Sequence, residues 1–229
     1  PAAHYEVVAA FLRGEPGFGE SVSRAERSIY FNFADRQLKG LRLRAMWDLY
    51  RFCRAEQFDV VICNRFKPVN MLLQLNRWLK IPLCIGISHG FGEYDRYYRR
   101  RQAKRLIDSA WRFVGVSPAV KQYLIERKCG FTEDNTVAIT NAIDIEQAAA
   151  LQLSREDARQ QLGLESRVRL IGALGRLVPV KGHVYLVQAF ARLKDKYPDT
   201  QLAIIGKGRE ESRLREEVAK VGLEGRVHL

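Results

Sequence analysis

Two short glycine loops carry the residue types best suited to holding a phosphate. Gly175-Arg176-Leu177-Val178-Pro179-Val180-Lys181-Gly182 follows the apolar run 170–174 and precedes an amphipathic segment that begins near His183. The first N–H groups of a helix have no internal partner, and its dipole favours negative charge there, so a strand–turn–helix junction of this kind is an anion site. Arg176 and Lys181 add two cations around the turn, enough to meet both phosphates of a diphosphate. Gly206-Lys207-Gly208 closes a second apolar strand, 201–206, ahead of a charged helix at 210–220. Ser88-His89-Gly90 ends a further strand, 83–88; a neutral imidazole donates from one nitrogen and accepts at the other. Arg65-Phe66-Lys67-Pro68 follows a strand at 59–63, where Arg65 and Lys67 suit an anionic acceptor.

Alternating apolar runs and helical patterns position these residues. Strands are predicted at 5–12, 29–33, 59–63, 83–88, 113–117, 136–140, 169–175 and 226–229, besides the one at 201–206. Helices are predicted at 39–56, 69–80, 95–110, 118–128 and 155–162. In the first, Leu38, Leu41, Ala45, Leu49 and Cys53 recur at steps of three and four, a buried face opposite Arg42, Arg44, Arg51 and Arg54. Ala103, Leu106, Ile107 and Ala110 make a comparable stripe. Strands separated by helices predict an α/β fold with parallel sheets covered on both faces. The rhythm pauses over 141–153, which places a domain junction at about 145–168 and divides the chain into 1–150 and 151–229.

Gly175-Arg176 with Lys181-Gly182, the helix ending near Tyr197-Pro198, Leu202-Ala-Ile-Ile-Gly206-Lys-Gly208 and Gly222-Leu-Glu-Gly-Arg226-Val-His-Leu229 together resemble the donor-nucleotide domain of retaining glycosyltransferase family 4. The resemblance implies a GT-B fold of two Rossmann-like domains facing one another across a cleft. It implies that Gly175, Arg176 and Lys181 bind the diphosphate of a nucleotide-sugar donor, that Gly206, Lys207 and Gly208 line the nucleotide pocket, and that His89 lies near the transferring sugar as the catalytic candidate. Asn141-Ala142-Ile143-Asp144 resembles the turn that closes the acceptor-side domain, with Ala142 where glycine is usual, so its backbone should avoid positive φ. The family's first strand and glycine-rich loop, and its C-terminal pair of glutamates, are expected to lie outside this chain, leaving both domains incomplete. No metal and no separate cofactor are expected; the nucleotide-sugar is a substrate.

Composition limits the alternatives. The chain has 229 residues, 47% of them hydrophobic, and a net charge of +12 spread over both halves, +7 in 1–150 and +5 in 151–229. Such a surface favours an anionic partner. Six basic residues and three tyrosines fall within 94–105, including Arg99, Arg100, Arg101, Lys104 and Arg105. Three readings fit: an acceptor or anionic membrane surface, with tyrosines at the polar boundary, one solvated helix face, or a nucleic-acid patch. No RNA-binding aromatic motif, helix-turn-helix signature or zinc finger supports nucleic acid, which is not an expected partner; a basic α/β nucleic-acid-binding module is the alternative function that salt-dependent binding to nucleic acid, without nucleoside diphosphate binding, would favour. A dinucleotide oxidoreductase would show G-x-G-x-x-G in the first unit and an acidic residue about 20 positions on, and neither is present. A non-catalytic sugar-nucleotide-binding protein stays open. Cys53, Cys63, Cys84 and Cys129 have no C-x-x-C spacing and read as buried free thiols of a reducing compartment. His4, His183 and His228 read as structural or exposed. No signal peptide is visible. The expected setting is the cytoplasm, with peripheral attachment to the inner face of the cytoplasmic membrane left open, and bacterial lipopolysaccharide or surface polysaccharide assembly on a glycan or lipid-linked acceptor.

Overall fold

The computed structural model of the chain describes residues 5–14, 25–164 and 168–229; His4 lies outside them. The chain forms two compact units, Pro1–Ile143 and Asp144–Leu229. The division falls ahead of the boundary at 150 expected from the sequence. The apparent pause over 141–153 holds a short helix, α5 (Ile145–Ala150), opened by Asp144, whose Oδ1 accepts from the Gln147 amide at 2.9 Å. Its apolar residues bury nothing, so no hydrophobic stripe announced it. Ala142 keeps a negative φ, as alanine requires.

In the N-terminal unit, β1 (Val8–Phe11) and β2 (Arg27–Tyr30) pair in parallel as a two-stranded sheet. A second sheet runs β3 (Val60–Asn64), β4 (Leu83–Ser88), β5 (Trp111–Gly115) and β6 (Thr136–Ala138), all parallel and in sequence order. The crossovers are α2 (Phe66–Leu79), α3 (Tyr97–Leu106) and α4 (Pro118–Glu126), with α1 (Leu43–Glu56) leading into β3. Parallel strands need such helical crossovers, which cover the sheet faces. Helix α2 is the most enclosed, burying Val69, Met71, Leu72, Leu73 and Leu75, with Asn70 and Asn76. Asn76 has a partner for both ends of its amide: Nδ2 donates to the Ile81 carbonyl and Oδ1 accepts from the Ile81 amide at 2.8 Å. Ser117 Oγ accepts from the Val120 amide and Pro118 takes the first helical position, the start expected for α4.

Two sequence-based stripes need correction. Leu41 is exposed, because a 3-10 turn at Asp35–Leu38 and a left-handed Arg42 break the helix before Leu43; Ala45 and Cys53 are buried as expected. Helix α3 stops at Leu106, so Ile107 and Ala110 belong to the approach to β5. All four cysteines are buried free thiols. Burial pushes Cys53 and Cys129 up to about 11 and Cys84 to about 12, and raises Cys63 further.

The C-terminal unit has a parallel sheet β7 (Arg169–Leu174), β8 (Thr200–Ile205), β9 (Val227–His228), with α6 (Arg155–Gln161), α7 (His183–Ala191) and α8 (Glu211–Lys220). Its core is separate: Leu177, Val187, Phe190, Leu202, Ile204, Leu214 and their neighbours. Arg226 holds the chain ahead of β8, donating to the carbonyls of Lys194, Tyr197 and Thr200 with its guanidinium 5.3 Å from the Phe190 ring centre.

Candidate functional site

The two glycine loops of the C-terminal unit lie side by side. β7 and β8 are in register as far as Leu174 and Ile205, and the pairing continues beyond the strands. The Gly175 amide donates to the Ile205 carbonyl at 3.0 Å, and the Leu177 amide to the Lys207 carbonyl at 3.0 Å. The Leu177 carbonyl then accepts from the Glu210 amide at 3.1 Å, just ahead of α8. The approach leaves no room for side chains: a Cβ on Gly206 would lie 1.9 Å from the Gly175 carbonyl oxygen, and one on Gly208 2.3 Å from that of Leu177. Contact between the two loops, and not an unusual backbone angle, is what requires glycine at 206 and 208.

Around this junction the cations stand free. Arg176, Lys181 and Lys207 are exposed, and no described residue offers any of them an acceptor or an acidic partner. Arg209, on the same loop as Lys207 and equally exposed and unpartnered, is a fourth that the sequence reading missed, because it lies one residue outside the G-x-G frame. Lys181 folds back, its Cδ 4.0 Å from where a Gly175 Cβ would be. Gly182, at φ +67°, turns the chain into α7, whose N-cap makes no side-chain hydrogen bond to the first-turn amides. His183 is buried, as the structural reading expected. Its Nε2 has no partner among the described residues and lies 3.7 Å from the Gly175 Cβ position. His228 is also structural, within 2.7 Å of Gln201 Oε1.

In the N-terminal unit the ends of β3 and β4 place Asn64 and His89 together. Their strands are paired neighbours, and His89 Nε2 lies 3.2 Å from Asn64 Oδ1. With Nε2 donating, Nδ1 is left as a free acceptor on an exposed ring. Asn64 was missed, since its partnership depends on strand order. Ser88, by contrast, turns inward to Glu93. Arg65 is exposed at the N-cap of α2 with φ +71°, a conformation costly for a non-glycine residue and commonest at functional sites.

The basic stretch 94–105 divides in two. Tyr94 is core, and Arg99 and Arg100 brace the loop before α3 by donating to the carbonyls of Glu93 and Asp95. Arg101, Lys104 and Arg105 remain exposed. With Arg77, Trp78, Tyr97 and Tyr98, Arg101 and Arg105 line an open groove of about 610 Å³ between α2 and α3. Arg99 also meets Phe66, its guanidinium 4.1 Å from the ring centre. Arg42, whose side chain is half-buried, has Nη1 shut away from solvent without an acceptor among the described residues. Burial, and then Arg99, lower its pKa; partial desolvation, and then Arg13, Arg42 and Lys39, lower that of Lys67.

Residues 1–147 match the family model described as Glycosyltransferase Family 4. The chain belongs to that family. Residues 154–229 match a second model, described as Glycosyl transferases group 1. The chain is 28% identical over 159 residues to the putative glycosyltransferase YtcC of Bacillus subtilis, covering 67% of this chain and 38% of that one. It is 32% identical over 118 residues to the GDP-mannose-dependent monoacylated alpha-(1-6)-phosphatidylinositol monomannoside mannosyltransferase of Corynebacterium glutamicum, covering 50% and 30%. The chain thus spans well under half the length of these relatives. Among solved structures, that of Anabaena HepE in complex with UDP and glucose superposes with a TM-score of 0.70 at 20% identity, covering 98% of this chain and 68% of that one. At that identity the likeness is one of fold, the α/β GT-B architecture of the family. In this family member the paired glycine loops and the His89–Asn64 pair lie in different units, each at the C-terminal ends of parallel strands, where open α/β sheets bind ligands.

Proposed function

We propose that the chain carries the working parts of a retaining glycosyltransferase, which moves a sugar from a nucleoside-diphosphate donor to a glycan or lipid-linked acceptor. The observation that carries this reading is the stitched pair of glycine loops with Arg176, Lys181, Lys207 and Arg209 unpartnered around it. As the bond from the sugar's anomeric carbon to the diphosphate oxygen breaks, negative charge grows on that oxygen. Arg176, Lys181 and the first amides of α7 meet it with charges and dipoles already in place, so little solvent has to reorganise. Lys207 and Arg209 then serve the ribose and base side of the nucleotide. In the N-terminal unit, His89, oriented by Asn64, holds a hydroxyl of the reacting sugar or acceptor.

The protein's own cations make a metal unnecessary in this reading, so chelation with EDTA leaves turnover intact. Structural neighbours solved with UDP and UDP-glucose support a nucleotide-sugar partner. The positive charge and the groove between α2 and α3 suit peripheral work at the inner face of the cytoplasmic membrane, in lipopolysaccharide or surface polysaccharide assembly. Calorimetric titration with UDP and GDP tests the donor assignment. Saturable binding of one nucleotide, displaced by pyrophosphate, is expected; no binding of either would contradict it. Where turnover is seen, the anomeric configuration of the product, read by proton NMR, decides between retention and inversion.

A further inference from the structure

The arginines around α3 divide into those the protein holds and those it leaves free. Arg99 and Arg100 donate to backbone carbonyls, and Arg127 pairs with Asp95. Arg77, Arg101 and Arg105 are exposed, and none has an acceptor or an acidic partner among the described residues. These three line the open groove of about 610 Å³ between α2 and α3, and no acidic residue joins them there. Helical spacing brings them together. Tyr97, Tyr98, Arg101 and Arg105 fall at steps of three and four on one face of α3, and Arg77 and Trp78 follow Gln74 at the same steps on α2. Behind the groove, buried Asn70 donates to Gln102 Oε1 at 2.7 Å and accepts from Gln74 Nε2 at 3.2 Å. Both glutamines are thereby fixed, and the amide N–H groups of Gln102 keep no protein acceptor among the described residues. Trp78, Tyr97 and Tyr98 are 62%, 69% and 58% exposed, so packing leaves most of each ring uncovered.

We propose that this groove is a docking site for the phosphodiester headgroup of an anionic lipid. Arg77, Arg101 and Arg105 hold the phosphate from both walls, since guanidinium forks match its oxygens. Trp78, Tyr97 and Tyr98 lie at the membrane boundary, where a ring with one polar end is favoured on both sides. A soluble phosphate ester would use the cations but leave the three rings in water. A nucleic-acid strand needs a basic track, and the free row is interrupted at Arg99 and Arg100, which are engaged with the protein. The inference rests on the reading of the chain as a peripheral membrane enzyme and adds a discrete headgroup site to it. It is independent of the paired glycine loops, which lie in the other unit.

The test uses the whole chain carrying Trp47→Phe, in which Trp78 is exposed and Trp111 fully buried. On vesicles of phosphatidylcholine with phosphatidylglycerol, Trp78 fluorescence should shift to the blue and be quenched by lipids labelled near the headgroup. Vesicles of phosphatidylcholine alone should do neither. In that background Arg77→Gln and Arg101→Gln should each weaken vesicle binding at least about tenfold, because each removes a charged phosphate contact. Lys104 is exposed on the same helix but lies outside the groove lining, so Lys104→Gln should weaken binding by about fivefold or less, the effect of one charge near an anionic surface. UDP binding should be unchanged in all three. Equal weakening by all three, or binding without a response of Trp78, would overturn the headgroup site and leave peripheral attachment standing. No binding to anionic vesicles would overturn both. Displacement from the vesicles by soluble glycerol phosphate, or retention on an oligonucleotide without vesicle binding, would replace the lipid with a soluble phosphate ester or a nucleic acid and so overturn the proposal.

Discussion

At the scale of single residues, the paired loops of the C-terminal unit depend on two glycines for a reason that φ angles do not reveal. Gly206 and Gly208 sit where the neighbouring loop's carbonyl oxygens approach so closely that any Cβ collides with backbone. Backbone cannot swing aside as a flexible side chain can, so Gly206→Ala or Gly208→Ala should part the two loops and cost about 1–3 kcal/mol. Denaturant unfolding measures the loss, and a stability equal to wild type would mean the loops are not in contact. The G-x-G spacing was legible in the sequence, but its physical cause was not, because the clash comes from residues 175–177, some thirty positions earlier. For the same reason Arg209 and Asn64 escaped notice. Arg209 acquires its place from the loop contact, and Asn64 from the pairing of β3 with β4. His89 and Arg176 were visible because each stands just past a strand end beside a glycine, and Lys181 because it precedes Gly182 at the start of the next helix, all purely local signals.

At the scale of elements, α3 shows how a charge run resolves once a helix has a neighbour. Part of the stretch 94–105 is consumed in bracing its own loop. Asp95 collects the Tyr123 hydroxyl and Arg127, while Arg99 and Arg100 hold adjacent carbonyls. What remains is a face with Arg101, Lys104 and Arg105 exposed beside the aromatic rings of Trp78, Tyr97 and Tyr98. Near an anionic surface each basic residue contributes about 1 kcal/mol, so replacing these three with glutamine should weaken partitioning on the order of 100-fold. Flotation with vesicles of graded phosphatidylglycerol content measures this. Equal recovery of variant and wild type at every composition would return the face to simple solvation. The strands and most helices could be placed from apolar runs and periodicity. The errors fall where burial was not local: Leu41 fitted the helical period but lies beyond the Arg42 break, and α5 has no buried side to leave a pattern.

At the scale of the whole chain, the two units keep separate cores. Trp47, Trp78 and Trp111 all lie in the N-terminal unit, so tryptophan fluorescence reports on that unit alone. Phe190 is fully buried in the other core, beneath Arg226. Phe190→Ala should destabilise the C-terminal unit by about 3–5 kcal/mol. Circular dichroism should then show part of the helical signal lost at lower denaturant, with the fluorescence midpoint unmoved; a joint shift of both probes would show one cooperative unit. The unpartnered loop cations lie in one unit and the His89–Asn64 pair in the other. The central claim is that the first of these holds a nucleoside diphosphate, and calorimetry on Arg176→Ala and Lys181→Ala tests it most directly. Each variant should bind the preferred nucleotide more weakly by roughly 1.5–3 kcal/mol, the worth of a charged hydrogen bond. Affinities indistinguishable from wild type in both would contradict the account.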